Sequence, residues 1–276
     1  DDGAVYVGNL ALNSATAFKL YRWANDDSNT TPTVAFSGNP SAADSQRWGD
    51  TMDVRGAGTN TQVLIGSRSG TNAVIFTTSD GTNFTPNVIN VSGISGSDFG
   101  LGIAFGEGNT FWGKANGAIP LRQFSFDMSS GTGAVLRTHG SPGIPNSVAT
   151  IGVSTWLNLC AGIALETPDH LRLYDLTTNN STPVLIETNS FPTDNANDNG
   201  TGSVDFGGDR VFALDSNNGL IAMRIMPLAV QFDEIAKLPN HQTRVQMSGG
   251  RGIFLIEHTS DFVDWWPLFN VTNLSG

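Results

Sequence analysis

The segment RWGDTMDVRG (Arg47–Gly56) holds two arginines, a tryptophan and two aspartates close together. A guanidinium grips carboxylates in bidentate fashion, and an indole offers a flat face for a sugar ring to stack on. Arg47, Trp48, Asp50, Asp53 and Arg55 are therefore candidates for holding a sugar or carboxylate ligand. Asp98, in GSDFG, stands at the corresponding point of a later segment and joins the set. The same residues have a structural reading, in which Asp–Arg pairs pin neighbouring segments together.

A second polar cluster is PTDNANDNGTG (Pro192–Gly202). Asp194, Asn195, Asn197 and Asp198 supply carboxylate and amide oxygens, the ligands that a hard cation such as calcium takes. No Glu stands at the twelfth position of an EF-hand loop and no helices flank it, so the alternative is an Asx-rich loop leading into a strand.

Other chemistries lack their residues. There is no G-x-S-x-G elbow, and GNTFWGKANG lacks the spacing of a phosphate loop. His139, His170, His241 and His258 are not at metal-ligand spacing. Cys160 is the single cysteine; it cannot form an intrachain disulfide, and in WLNLCAGIAL it reads as a small core residue. Glycoside hydrolysis needs two carboxylates about one bond. Glu107, Glu166 and Glu187 are candidates beside the aspartates, with Glu107 and Glu166 in turn contexts.

What positions these residues is a repeat. The strands FKLYRW, AVIFTT, LRQFSF, LRLYDL and LIAMRI recur roughly every 50 residues, a propeller-blade period. Several alternate polar with apolar side chains, as strands do. Each follows a second apolar strand (AVYVGNL, TQVLIGS, TFWGKA, CAGIAL, RVFAL), and most precede an outer one (PTVAFSG, PNVINVSG, GAVLRTHG, PVLIETNS). Four Gly-rich strands stand in front: GDTMDVRG, FGLGIAFGEG, VATIGVST and GSVDFGGD. Small residues suit the innermost strand, where blades crowd around a channel. The connections TSDGTN, DMSSGTG and DSNNG carry turn chemistry.

The fold expected is all-β: a β-propeller of five visible blades or part-blades over residues 1–226, its first blade lacking the inner strand and its last the outer one. That is an arc of a six-bladed ring or an imperfectly closed five-bladed one. Residues 227–276 depart from the pattern. Their runs TRVQMSG, IFLIEHTS and PLFNVTN are expected to form a small β-sandwich-like segment.

The phrases RWGDTMDVRGAGTNTQVLIGSRSG, GNTFWGK, PLRQFSFD and FPTDNANDNGTGSVDFGGDRVFALDSNNG resemble a β-propeller domain family of unknown function in secreted proteins of Verrucomicrobia- and Planctomycete-type bacteria. The resemblance covers residues 1–226. HTSDFVDWWPLFNVTN resembles the immunoglobulin-like module that follows such domains. The resemblance implies a further blade upstream and brings no catalytic residues.

The formal net charge of −11 repels phosphate backbones and argues against a nucleic-acid partner. No run of about 18 apolar residues is present, so no transmembrane span is expected. Charged residues make up only 14%. With one cysteine and many Gly, Ser, Thr and Asn, this suits a secreted or cell-surface protein. The function expected is extracellular binding, adhesion or assembly without catalysis, with a glycan or protein ligand and self-association through open edge strands. The alternative is a secreted polysaccharide-active hydrolase or lyase using carboxylates at the channel mouth.

Overall fold

The computed structural model describes residues 2–41, 46–176, 182–195, 202–225, 231–239, 243–249, 252–261, 263–264 and 266–273. Asn197 and Asp198 lie outside the described residues.

Alternating and continuous apolar runs separated by Gly, Asn and Asp turns become antiparallel meanders. The first blade has three strands, β1 (Val5–Gly8), β2 (Phe18–Trp23) and β3 (Thr33–Gly38). The second has four: β4 (Met52–Arg55), β5 (Gln62–Gly66), β6 (Asn72–Thr78) and β7 (Phe84–Ser92). The third comprises β8 (Gly102–Phe105), β9 (Thr110–Lys114), β10 (Leu121–Asp127) and β11 (Thr132–His139). The fourth comprises β12 (Val148–Ser154), β13 (Leu159–Ala164), β14 (His170–Asp175) and β15 (Val184–Ser190). The fifth has β16 (Gly202–Gly207), β17 (Arg210–Asp215) and β18 (Gly219–Arg224). Blades two and three also join at their outer edges, where β7 and β11 pair in parallel from Asn90↔Thr132 to Ser92↔Ala134. The tail forms two separate two-stranded sheets, β19 (Gln231–Lys237) with β20 (Thr243–Ser248), and β21 (Gly252–His258) with β22 (Trp266–Asn273). The single helical turn among the described residues is 3-10, at Gly58–Asn60, and no helix is long and apolar enough to cross a membrane.

The core lies between blades. Phe18, Trp48, Val63 and Phe76 fill the first junction, and Leu64, Ile75, Phe99, Phe111 and Phe124 the second. The Phe111 and Phe124 rings stack at 4.9 Å. Tyr174 and Ile151 belong to the third cluster, Val204 and Val211 to the fourth. The second strands β5, β9 and β13 are buried on both faces, which is why they read as unbroken apolar runs. Crowding at the innermost strands accounts for their glycines. A Cβ at Gly102 would lie 2.8 Å from the Ala149 carbonyl oxygen, and one at Gly152 would lie 2.4 Å from that of Val204.

Candidate functional site

The inner strands β4, β8, β12 and β16, with Tyr6 of β1, line a cavity of about 220 Å³. Val54, Ala104, Val153 and Ser203 also line it, and its two carboxyl groups are those of Asp53 and Asp205. They arrive there by the same local route. Thr51-Met52-Asp53 and Ser203-Val204-Asp205 both read hydroxyl, apolar, aspartate. Strand alternation puts hydroxyl and carboxylate on one side and the apolar residue on the other.

In β4 this side reaches the free inner edge of β8. The Ile103 N–H donates to Thr51 Oγ1 at 3.2 Å and the Phe105 N–H to Asp53 Oδ2 at 2.6 Å. Asp53 Oδ1 accepts the Val54 N–H at 2.8 Å. Burial pushes the Asp53 carboxyl up to about 7, and the charge of Asp205 adds to the rise; the two N–H groups and Arg55 oppose it. Asp205 Oδ1 accepts the Phe206 N–H at 2.7 Å. Asp205 is open on one side, yet desolvation by the cavity walls still raises its carboxyl. Near neutral pH the cavity therefore holds one carboxyl close to its titration point and a second that shares its field.

The other residues singled out in the sequence lie elsewhere. Trp48 is only 2% exposed, bridged to Ala11 and packed with Phe18 and Phe76, so its indole is not offered for stacking. Asp50 accepts both nitrogens of a fork from Arg47 and a third bond, at 3.1 Å, from Arg68. Arg55 donates to Gln62 Oε1 at 2.8 Å and to the Gly108 carbonyl at 2.7 Å, with its guanidinium 4.2 Å over the Phe105 ring. Asp98 is fully buried and ion-paired with Arg122. Arg47 thus pairs with Asp50 close by in sequence, Asp98 pairs with Arg122 of its own blade, Arg55 reaches carbonyls of the third blade, and Asp53 is the residue of that set that faces the cavity. Asp194 and Asn195 are exposed; the Asn195 N–H donates to Asn218 Oδ1 at 2.7 Å. Among the described residues no three His, Cys, Asp or Glu side chains gather as a metal site.

Glu107 and Glu187 are exposed, and Glu166 is held by Ser147 at 2.8 Å and Arg172 at 2.8 Å. Cys160 is buried, its thiol pushed up to about 12 by burial. Four polar residues do not stand out in the sequence: Asp205, Lys114, Asp169 and Asp215. Asp205 shares the hydroxyl-x-Asp pattern of Asp53, a likeness that shows only once β4 and β16 face one cavity. Lys114 is fully buried, donating to the Ala115 and Ile119 carbonyls at 2.6 and 2.7 Å, and burial brings its ammonium down to about 8. Asp169 and Asp215 are buried beside Asn218, which donates to Asp169 at 2.9 Å. Burial, reinforced by Asp215, pushes the Asp169 carboxyl up to about 6.

Strand order and channel define an all-β protein with a propeller-like fold. No protein-family model and no curated protein matches the chain. Among solved structures it is similar to a DUF4623 family protein from Bacteroides eggerthii, at 17% identity and a TM-score of 0.54, over 80% of this chain and 56% of that one. The chain thus spans little more than half of that protein. A protein from Lactobacillus plantarum aligns at 12% identity and a TM-score of 0.43, over 81% of this chain and 67% of that one. A proposed 6-phosphogluconolactonase from Bacteroides uniformis aligns at 10% identity and a TM-score of 0.44, over 98% and 82%. At these identities the likeness is one of fold.

Proposed function

We propose that this chain is an extracellular or cell-surface binding module whose ligand enters the inner-strand cavity and is held between Asp53 and Asp205. The observation that carries this reading is that two carboxylates from strands far apart in sequence face one cavity of about 220 Å³. Two acceptors favour a ligand rich in hydroxyl or ammonium donors and repel an anionic one. The volume is small beside ordinary ligand pockets, which start at about 300 Å³. It suits one sugar unit, such as the end of a glycan.

Calorimetric titration with neutral, amino and acidic monosaccharides and short glycans tests the reading. Neutral or amino sugars are expected to bind, acidic ones not, and both Asp53→Asn and Asp205→Asn to weaken binding. Preference for acidic sugars, or unchanged binding in both variants, would overturn it.

One observation favours a second reading, hydrolysis or elimination on a polysaccharide. A carboxyl raised to about 7 keeps its proton in part at neutral pH, the state a general acid needs, with Asp205 as its charged counterpart. Turnover on the same glycan panel, lost in Asp53→Asn, supports catalysis; binding without turnover supports the module.

A further inference from the structure

Among the described residues, one face of the fifth blade has nothing on it. Ser203 and Asp205 of β16 pair with Leu214 and Phe212 of β17, which pair with Leu220 and Ala222 of β18. Paired residues share a face, and all six are exposed; Phe212, Leu214 and Leu220 are 41%, 48% and 60% exposed. The corresponding row of the second blade is Asp53, Leu64 and Ile75. There the next blade covers it with Ile103, Phe105 and Phe111. Among the described residues the outer edge of β18 is also unpaired, whereas β2, β6, β10 and β14 each have an outer partner.

We propose that the chain's own tail occupies this seat: β19 adds to β18 as the outer strand of the fifth blade, and β20, β21 and β22 form the first three strands of a sixth.

Asp205 gives the first argument. Its Oδ1 bond to the next N–H repeats that of Asp53. Asp53 uses its second oxygen, and Thr51 its hydroxyl, on the inner-edge N–H groups of the following blade. Among the described residues Asp205's second oxygen and the Ser203 hydroxyl have no partner, so this position lacks two N–H groups two residues apart on an inner strand. Val245 and Met247 of β20 stand where Ile103 and Phe105 stand: VQMSGGRGIFLI aligns with IAFGEGNTFWGK, an inner strand, a Gly-rich turn and an apolar second strand.

Spacing gives the second. Residues 225–230 lead from β18 to β19, as 79–83 lead from β6 to β7. Residues 249–251 and 259–265 then separate β20, β21 and β22, as 106–109 and 115–120 separate β8, β9 and β10. Residues 238–242 reach about 20 Å when extended, enough to return across three strand spacings of about 4.8 Å.

Burial gives the third. Phe232 and Ile235 of β19 are 65% and 67% exposed, and Val245 of β20 is 47% exposed. Isolated two-stranded sheets are marginal in water. Docking exchanges the β19–β20 ladder for one on the free edge of β18, keeping the backbone hydrogen bonds and burying both bare apolar faces.

Hydrogen exchange on the full chain at several concentrations tests this without any ligand. Amides of β18, β20 and β21 are expected to be protected like those of β5 and β6, independently of concentration. Phe212→Asp with Leu214→Asp is expected to speed exchange over residues 219–224 and 243–258 by roughly a hundredfold, leaving 62–78 unchanged. Asp205→Ala, a milder change, is expected to expose chiefly the Val245 and Met247 amides. A tail that exchanges freely in the wild type, or is indifferent to these substitutions, overturns the proposal. Protection of the tail that falls on dilution overturns it too, and assigns the seat to a second copy.

Discussion

The junction between the second and third blades and the bare face of the fifth begin from the same strand chemistry and end differently. In both, an inner strand presents a hydroxyl and an aspartate on one side with an apolar row behind them. At the junction, Phe105 and Phe111 cover the row and the aspartate's second oxygen finds an N–H. On the fifth blade the row is open, and Asp205 keeps one oxygen without a partner among the described residues. A motif of this kind is half of a contact, and its role is set by whether the other half arrives.

The largest effect should separate the two regions directly. Phe111→Ala, at a residue with no exposed surface, is expected to cost about 3–5 kcal/mol in urea unfolding. Phe212→Ala removes contacts with the docked tail alone and should cost less, about 1–2 kcal/mol. Equal losses would erase the contrast.

The ion pairs come next. Asp98→Ala leaves Arg122 without its carboxylate inside the second junction and should cost about 3 kcal/mol. The pair of Asp209 with Arg224 on the fifth blade is solvent-exposed, and Asp209→Ala should leave the unfolding midpoint in place. A measurable loss there would show that this pair is drawn out of water.

The two channel aspartates give a smaller effect with a definite sign. Asp53 is raised to about 7 from its ordinary 3.8, so its proton is bound more tightly in the folded state. The associated stability is full below about pH 4 and is lost as pH rises to about 7. The thermal midpoint of the wild type should therefore fall more steeply across that window than that of Asp53→Asn. Identical slopes would show that Asp53 titrates normally. Asp205→Asn should flatten the profile least, because that side chain is open to solvent; a larger change than at Asp53 would reverse the order of the two sites.

Much of the fold is legible in the residue pattern alone. The five apolar pairs and the four Gly-rich inner strands stand where alternation and turn residues put them. The site is legible only in part. Asp53 is within reach because it sits in a dense polar segment. Asp205 is not, because SVDF carries no such neighbourhood, and its resemblance to TMDV shows only once β4 and β16 face one cavity. Trp48 misleads because an aromatic beside charges looks like a binding platform, whereas its bridge to Ala11 draws it into the first junction.

The sequence by itself determined the strands, their order within each blade and the turns, because period-two alternation and the backbone freedom of Gly and Asn act over a few residues. Only the tertiary structure decided that Asp53 and Asp205 share a cavity, that Asp98 meets Arg122, and that the apolar row of the fifth blade is exposed among the described residues. Those outcomes depend on how blades stack, which brings together side chains whose separation along the chain carries no local signal.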